Sequence, residues 1–231
     1  RLLVQQNKLA SMGEMLGNIA HQWRQPLNNI NLLIYFIRDS YGKISQMELS
    51  ELIKDAKLQI DYMSQTIDDF RNFYKPSKEK KLFNIKESII QSSKIVNASL
   101  EKYGIKFEIF GEDLQLDSYE NEFEQVVVNI LNNAIDAKIV KSNSEKFDAR
   151  IEINIFKEND NIVISIFNNC GNIDEQIIER IFEPYFTTKF ENQGTGIGLY
   201  MTKVIVEKNM NGKIQAKNLN DGVEFIIKLN A

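Results

Sequence analysis

The chain has 231 residues and one histidine, His21, in the run Ala20-His21-Gln22-Trp23-Arg24-Gln25-Pro26-Leu27. A neutral imidazole is nucleophilic near neutral pH, so a sole histidine held at an exposed position is a candidate acceptor of a transferred group. Asn129 and Asn133 lie four residues apart, on one face of a predicted helix. Their neutral carbonyl oxygens suit Mg²⁺, which takes few protein ligands beside water and phosphate. Gly194, Gly196 and Gly198 precede another helical pattern. Glycines there allow a ligand to approach the backbone closely, and the first turn of a helix leaves N–H groups unpaired for phosphate. In combination these residue types point to phosphoryl chemistry with His21 as acceptor.

The elements that must position these groups are legible in part. In the first 40 residues apolar side chains recur at Leu9, Met12, Leu16, Ile19, Trp23, Leu27, Ile30, Ile34 and Ile37, in helical steps of three and four. The 4-4 step through Ile19, Trp23 and Leu27 is a stutter in that seam. His21 sits two residues from both Ile19 and Trp23, and at about 100° per residue it projects away from the seam. Pro26 removes the hydrogen bond to the carbonyl of Gln22 and clashes with it, at about 3 kcal/mol in a helix interior, so a bend is expected beside His21.

Ser40-Tyr41-Gly42-Lys43 reads as a turn. A second helix follows with Leu49, Leu52, Ala56, Ile60, Met63, Ile67, Phe70 and Tyr74 on one stripe, including a 4-4 step at Leu52, Ala56 and Ile60. Two helices cannot enclose a core, so a dimeric four-helix bundle is expected; a hairpin packed on the rest of the chain is the alternative.

Lys75 to Lys81 is polar, contains Pro76 and marks a domain boundary. Beyond it, helices are expected near 85–102, 120–140 and 197–209. Strands are expected at 105–110, 150–156, 162–167, 213–217 and 223–229, joined largely as hairpins. The resulting fold class is multidomain: an all-α helical hairpin forming a dimeric four-helix bundle over 1–75, then an α+β sandwich over 82–231, an antiparallel-rich sheet with helices on one face.

Composition narrows the function classes. A net charge of −4 implies no nucleic-acid surface. The single Cys170 excludes an internal disulfide and fits a reducing, cytoplasmic compartment. No apolar run approaches the roughly 20 residues of a membrane span. The chain opens inside a helical pattern without a methionine. It is expected to be the C-terminal piece of a longer protein, with membrane attachment only through a preceding segment.

His21 through Leu27 resembles the phosphoacceptor box of bacterial sensor histidine kinases, in which an acidic residue usually stands where this chain has Gln22. A carboxylate can take a proton or orient the imidazole, whereas an amide can only orient it. Gln25, one turn on, matches the position that in the family orients water for dephosphorylation; an exposed helix polar residue is the competing reading.

Glu124 to Ala137 resembles the asparagine box of the ATPase domain shared by histidine kinases, gyrase-type ATPases and mismatch-repair ATPases. That match implies Asn133 as the Mg²⁺ ligand and Asn129 as a supporting contact. Ile181 to Lys189 resembles the family's phenylalanine box, whose aromatics would pack and hinge a nucleotide lid, with Lys189 placed for phosphate. Gly194, Gly196 and Gly198 match the second glycine box.

The first glycine box departs from the Asp-x-Gly-x-Gly pattern and reads Asn168-Asn169-Cys170-Gly171-Asn172. There Asn168 replaces the adenine-reading aspartate. Exchanging a charged hydrogen bond for a neutral one implies a loss of about 1 kcal/mol, several-fold in ATP affinity. Cys170 is most simply a small residue in a glycine slot, with a redox-sensing thiol as the alternative.

The resemblance implies a two-component sensor histidine kinase core: ATP with Mg²⁺ as cofactors, a homodimer, autophosphorylation of His21, and transfer to an aspartate on a response regulator receiver domain. A nucleotide-binding regulatory scaffold of low activity is the alternative that Gln22 and Asn168 favour, and a phosphatase of the regulator acting through Gln25 is compatible with either.

Overall fold

A computed structural model describes residues 23–74, 79–142, 147–188 and 196–230, with side chains described except at 65, 66 and 68–74. His21, Gln22, Lys189 and Gly194 lie outside the described residues, as does the carbonyl of Gln22 that the Pro26 bend concerns. The chain groups into two units, residues 1–75 with 187–196, and residues 76–186 with 197–231.

The first unit is helical. Helix α1 covers the described stretch 23–39 and ends in the turn 40–43, where the Ser40 N–H donates to the Phe36 carbonyl at 2.9 Å. Helix α2, Gln46–Tyr74, starts with a capping box. The Glu48 N–H donates to Ser45 Oγ at 3.2 Å, and the Ser45 N–H and hydroxyl donate to Glu48 Oε2 at 2.9 and 2.7 Å. Two otherwise unpaired donors at the helix start are thereby satisfied. These bonds hold the Glu48 carboxyl below its ordinary 4.5.

The half-buried positions of α2 include Leu49, Leu52, Ala56, Gln59 and Met63, a regular 3-4-3-4 seam, with Tyr62 beside its last member. This corrects the stutter read through Ala56 and Ile60: the seam passes through Gln59, and Ile60 is 53% exposed. Gln59 Oε1 is buried without a partner among the described residues. Ile60 belongs instead to a second stripe, Ile53, Ile60 and Ile67, spaced by seven and exposed throughout, matched on α1 by exposed Leu27 and Ile34. A hairpin with one apolar seam between its helices and another along its flank has the three-position apolar pattern of a bundle helix, wider than a two-stranded coiled-coil seam.

The second unit is an α/β layer with a mixed sheet. Strand β1 (Lys81–Asn84) pairs antiparallel with β3 (Gln115–Ser118) as a small separate sheet. Neither strand was expected, and β1 begins inside the segment read as linker. Four-residue strands carry too little alternation to register as a period. Asn84 caps helix α3 (Ile85–Lys102), its Oδ1 accepting from the Glu87 N–H at 2.9 Å.

The main sheet has the order β2-β4-β5-β7-β6: β2 Lys106–Gly111, β4 Arg150–Glu158, β5 Asn161–Asn168, β6 Lys213–Leu219 and β7 Gly222–Asn230. All pairings are antiparallel except β2 with β4. Helix α4 (Glu120–Ser142) and the short α5 (Gly198–Val204), which runs into a π-turn at Ile205–Asn209, complete the unit.

One sheet face is the core. Ile151, Ile153 and Ile155 of β4 and Ile164 and Ile166 of β5 are fully buried, with Phe123, Val127, Ile130 and Leu131 of α4. The period of two on the strands meets the helical period on α4, which is why the patterns read from sequence fall close to the observed elements.

Candidate nucleotide site

Asn129, Asn133, Ala137 and Lys141 follow one another at steps of four along α4 and so line one face of it. At 1.5 Å per residue that face is about 18 Å long, comparable to an extended nucleoside triphosphate. Its two ends are tied to the two glycine segments. At the first, Asn129 Nδ2 donates to the Gly198 carbonyl at 3.1 Å and lies 3.4 Å from Thr202 Oγ1. The fully buried Thr202 hydroxyl donates to the same carbonyl at 3.0 Å. Asn129 therefore fixes the start of α5 against α4. At the other end, Lys141 Nζ donates to the Asn169 carbonyl at 3.4 Å, and its stem lies against Gly171.

Between them, Asn133 Nδ2 donates to the Asn129 carbonyl at 2.9 Å. That bond sets the amide's orientation, and among the described residues Asn133 Oδ1 has no hydrogen-bond partner. An unpaired neutral oxygen halfway along the face fits a hard divalent cation that keeps most of its ligands as water and phosphate. The donor chemistry is therefore compatible with Mg²⁺. Gly196 adopts φ 63°.

The loop after β5 carries the first glycine segment, held in part by the side chains of Asn168, Asn169 and Asn218. Asn168 Oδ1 accepts from the Cys170 N–H at 3.1 Å. Asn169 bridges to the start of β4, with Oδ1 accepting from the Arg150 N–H at 2.8 Å and Nδ2 donating to the Asp148 carbonyl at 2.9 Å. Asn218 of β6 reaches across to Ile173, its Nδ2 donating to the Ile173 carbonyl at 2.6 Å and its Oδ1 accepting from the Ile173 N–H at 2.9 Å. Gly171 has φ 121°, a conformation suited to glycine. Gly222 of β7 packs so closely on the Asn168 backbone that any Cβ would collide with its carbonyl.

The clamps by Asn169 and Asn218 were missed in the sequence. A surplus of asparagines around a hairpin was the available signal, but their partners lie 19 and 45 positions away.

Burial settles the two readings of Cys170. It is 2% exposed, and that burial pushes its thiol up to about 11 despite the opposing pull of Lys138 and Lys141. A thiol so placed is protonated at neutral pH and inert, which favours a small packing residue over a redox sensor.

In the phenylalanine box, Phe182 is buried and stands edge-on to Phe225, 6.4 Å between centroids. Arg180 lies over Phe186 at 4.8 Å. Tyr185 has φ 65°, an uncommon conformation for an aromatic residue. These aromatics pack as expected, while the proposed lid beyond them falls outside the described residues. Gln25 is exposed on α1.

Comparison with known proteins gives two matching family models. Residues 11–79 match the His Kinase A (phospho-acceptor) domain, and residues 118–231 match the histidine kinase-, DNA gyrase B-, and HSP90-like ATPase. The two-component sensor PprA of Pseudomonas aeruginosa is 28% identical over 98% of this chain and 25% of its own length. The chain spans under half the length of the other leading curated relatives as well. The solved catalytic domain of histidine kinase ThkA is 30% identical, with TM-score 0.58, covering 66% of this chain and 96% of that one. A crystal structure of ThkA in complex with response regulator protein TrrA covers 97% of this chain and 63% of that one, with TM-score 0.71 and 24% identity, and shares the fold.

Proposed function

The chain belongs to the sensor histidine kinases, and on that premise we propose that it autophosphorylates on His21 with ATP and passes the phosphoryl group to an aspartate of a response regulator. We take 1–75 as the dimerisation and phosphoacceptor hairpin and 82–231 as the ATP-binding domain. The observation that carries the reading is the α4 face, where an unpaired Asn133 oxygen stands between two anchored glycine segments, downstream of a sole histidine in an acceptor box.

In this reading an imidazole nitrogen of His21 forms a bond to the γ-phosphorus as the bond from that phosphorus to the β,γ-bridging oxygen breaks, and ADP leaves. The imidazole proton passes to solvent, because the Gln22 amide cannot accept it. Mg²⁺ at Asn133 would supply charge neutralisation at the phosphates. Backbone N–H groups at Gly194, Gly196 and Gly198, with Lys189, would hold the phosphates. Asn129 keeps α5 in place, and Asn168 with Gly171 would border the base.

A second copy would cover the exposed Leu27, Ile34, Ile53, Ile60 and Ile67 stripe. The opposite side of the hairpin carries a groove between α1 and α2, lined by Asn29, Leu32, Leu33, Phe36, Asp55, Leu58 and Gln59. That groove would remain open in such a dimer and is where we place the receiver domain. Among the described residues no helix is long and apolar enough to cross a membrane.

The test is incubation with γ-labelled ATP and Mg²⁺. Acid-labile label is expected on the native chain and none on His21→Ala. Label that persists in His21→Ala refutes the assignment. Nucleotide binding without labelling favours the regulatory scaffold, the reading to which Asn168 lends most weight.

A further inference from the structure

Helix α5 sets Gly198, the last glycine of the second segment, against α4, yet little in the helix itself fixes where it lies. It has seven residues, too few for a stable isolated helix in water. Ile197 at its N-cap has no polar side chain to cap it, and the far end widens into the π-turn at Ile205–Asn209. Ile197, Met201 and Ile205 are each at most 2% exposed and bury the helix in the core. Apolar burial is non-directional, so the finer placement of Gly198 falls to hydrogen bonds.

Those bonds meet at Thr202, which is fully buried. Its hydroxyl donates to the Gly198 carbonyl at 3.0 Å, and Asn129 Nδ2 donates to the same carbonyl at 3.1 Å. Asn129 Nδ2 also lies 3.4 Å from Thr202 Oγ1, which has lone pairs to accept with. A threonine hydroxyl bonding four residues back is ordinary in helices and by itself says nothing of function. Here a side chain from a second helix, 69 positions away, joins the same carbonyl and closes a ring of three groups. The backbone carbonyl of Asn129 in turn accepts from Asn133 Nδ2 at 2.9 Å, so Asn133 and Gly198 are both tied to one residue. Among the described residues, a Cβ at Gly198 would meet nothing outside its own helix nearer than Asn129 Cγ at 4.0 Å, so no neighbour there demands a glycine. The space is left to a ligand.

We infer that Thr202 is a positioning residue for the phosphate end of the nucleotide: with Asn129 it sets Gly198 against the α4 face that carries Asn133. This rests on the nucleotide reading above. Thr202 acts through the Gly198 backbone and not by touching the ligand.

The experiment is calorimetry with Mg²⁺ and ATP on the whole chain, as native, Thr202→Val and Thr202→Ser. Valine keeps the volume and drops the hydroxyl; serine keeps the hydroxyl and drops the methyl. Thr202→Val is expected to bind ATP about threefold to tenfold more weakly, the equivalent of one neutral hydrogen bond, and Thr202→Ser to stay within about twofold of native. Thermal unfolding of the nucleotide-free chains runs alongside. A role in stability alone lowers the melting temperature of Thr202→Val and leaves the ATP affinity of the folded chain unchanged. That result overturns the inference while leaving the nucleotide reading intact, as does an equal loss of affinity in Thr202→Ser. Binding of no ATP by the native chain overturns both. Should Thr202→Val fail to fold, Thr202→Ala against Thr202→Ser makes the same comparison, since those two differ by the hydroxyl alone.

Discussion

Replacing Asn218 by alanine removes both hydrogen bonds between β6 and Ile173, the Nδ2 bond of 2.6 Å and the Oδ1 bond of 2.9 Å. A neutral hydrogen bond contributes about 0.5–1.5 kcal/mol net, so the pair amounts to about 1–3 kcal/mol. Ile173 is only half-buried, and water can partly replace the lost partners, which places the expected loss at about 1–2 kcal/mol. If the loop must be reordered when nucleotide binds, the same free energy weakens affinity by up to about thirtyfold.

The assay is urea unfolding followed by far-UV circular dichroism, with hydrogen exchange at Cys170 to Ile173 and nucleotide titration alongside. Trp23, the only tryptophan, lies in the helical unit, so its fluorescence reports that unit separately. Asn218→Asp is the informative companion. It keeps the acceptor for the Ile173 N–H but sets a second oxygen against the Ile173 carbonyl, and it is expected to destabilise at least as much as alanine. A change below about 0.5 kcal/mol for Asn218→Ala, with exchange at Cys170 to Ile173 unaltered, would refute the claim that this amide holds the loop.

Cys170 should be alkylated at pH 8 about a hundredfold more slowly than a free thiol, because a thiol shifted from 9.0 to about 11 has that much less thiolate. Its folded value is raised, so the associated stability is complete below pH 9 and is lost as pH climbs toward 11; melting temperatures of Cys170→Ala should fall less steeply across that window. Ile60→Glu places a charge in the exposed stripe of α2 and should raise the dimer dissociation constant at least tenfold by light scattering. The same change at Ile95, exposed on α3, should not. A monomeric native chain at micromolar concentration would count against the bundle.

Local pattern was enough for much of the architecture. The turn at 40–43 and the helices near 85–102 and 120–140 were read from turn residues and helical period, which act over a few residues. So were both Asn-containing hairpin turns. The short β1 and β3 escaped because each is held by a partner more than 30 positions away, with little periodicity of its own. The seam of α2 was misread at one step: Ile60 is the more hydrophobic residue, yet Gln59 faces α1. Hydrophobicity ranked the two, and helical phase across five positions decided between them.

The sequence by itself determined the order of the boxes, the identity of the asparagines and glycines, and the two-part division of the chain, because each is written in adjacent residues. It could not determine what those side chains do with their polar atoms. Asn129 and Asn133 read alike as a pair four apart, but the tertiary structure gives one to the carbonyl of Gly198, 69 positions on, and leaves the other's oxygen unpaired. Asn168 read as a weakened acceptor, and in the fold its oxygen accepts from the Cys170 N–H at 3.1 Å, within the loop itself. An amide carries a donor and an acceptor on one rotatable group. Only the neighbours that the fold brings to it fix which end is left to bind.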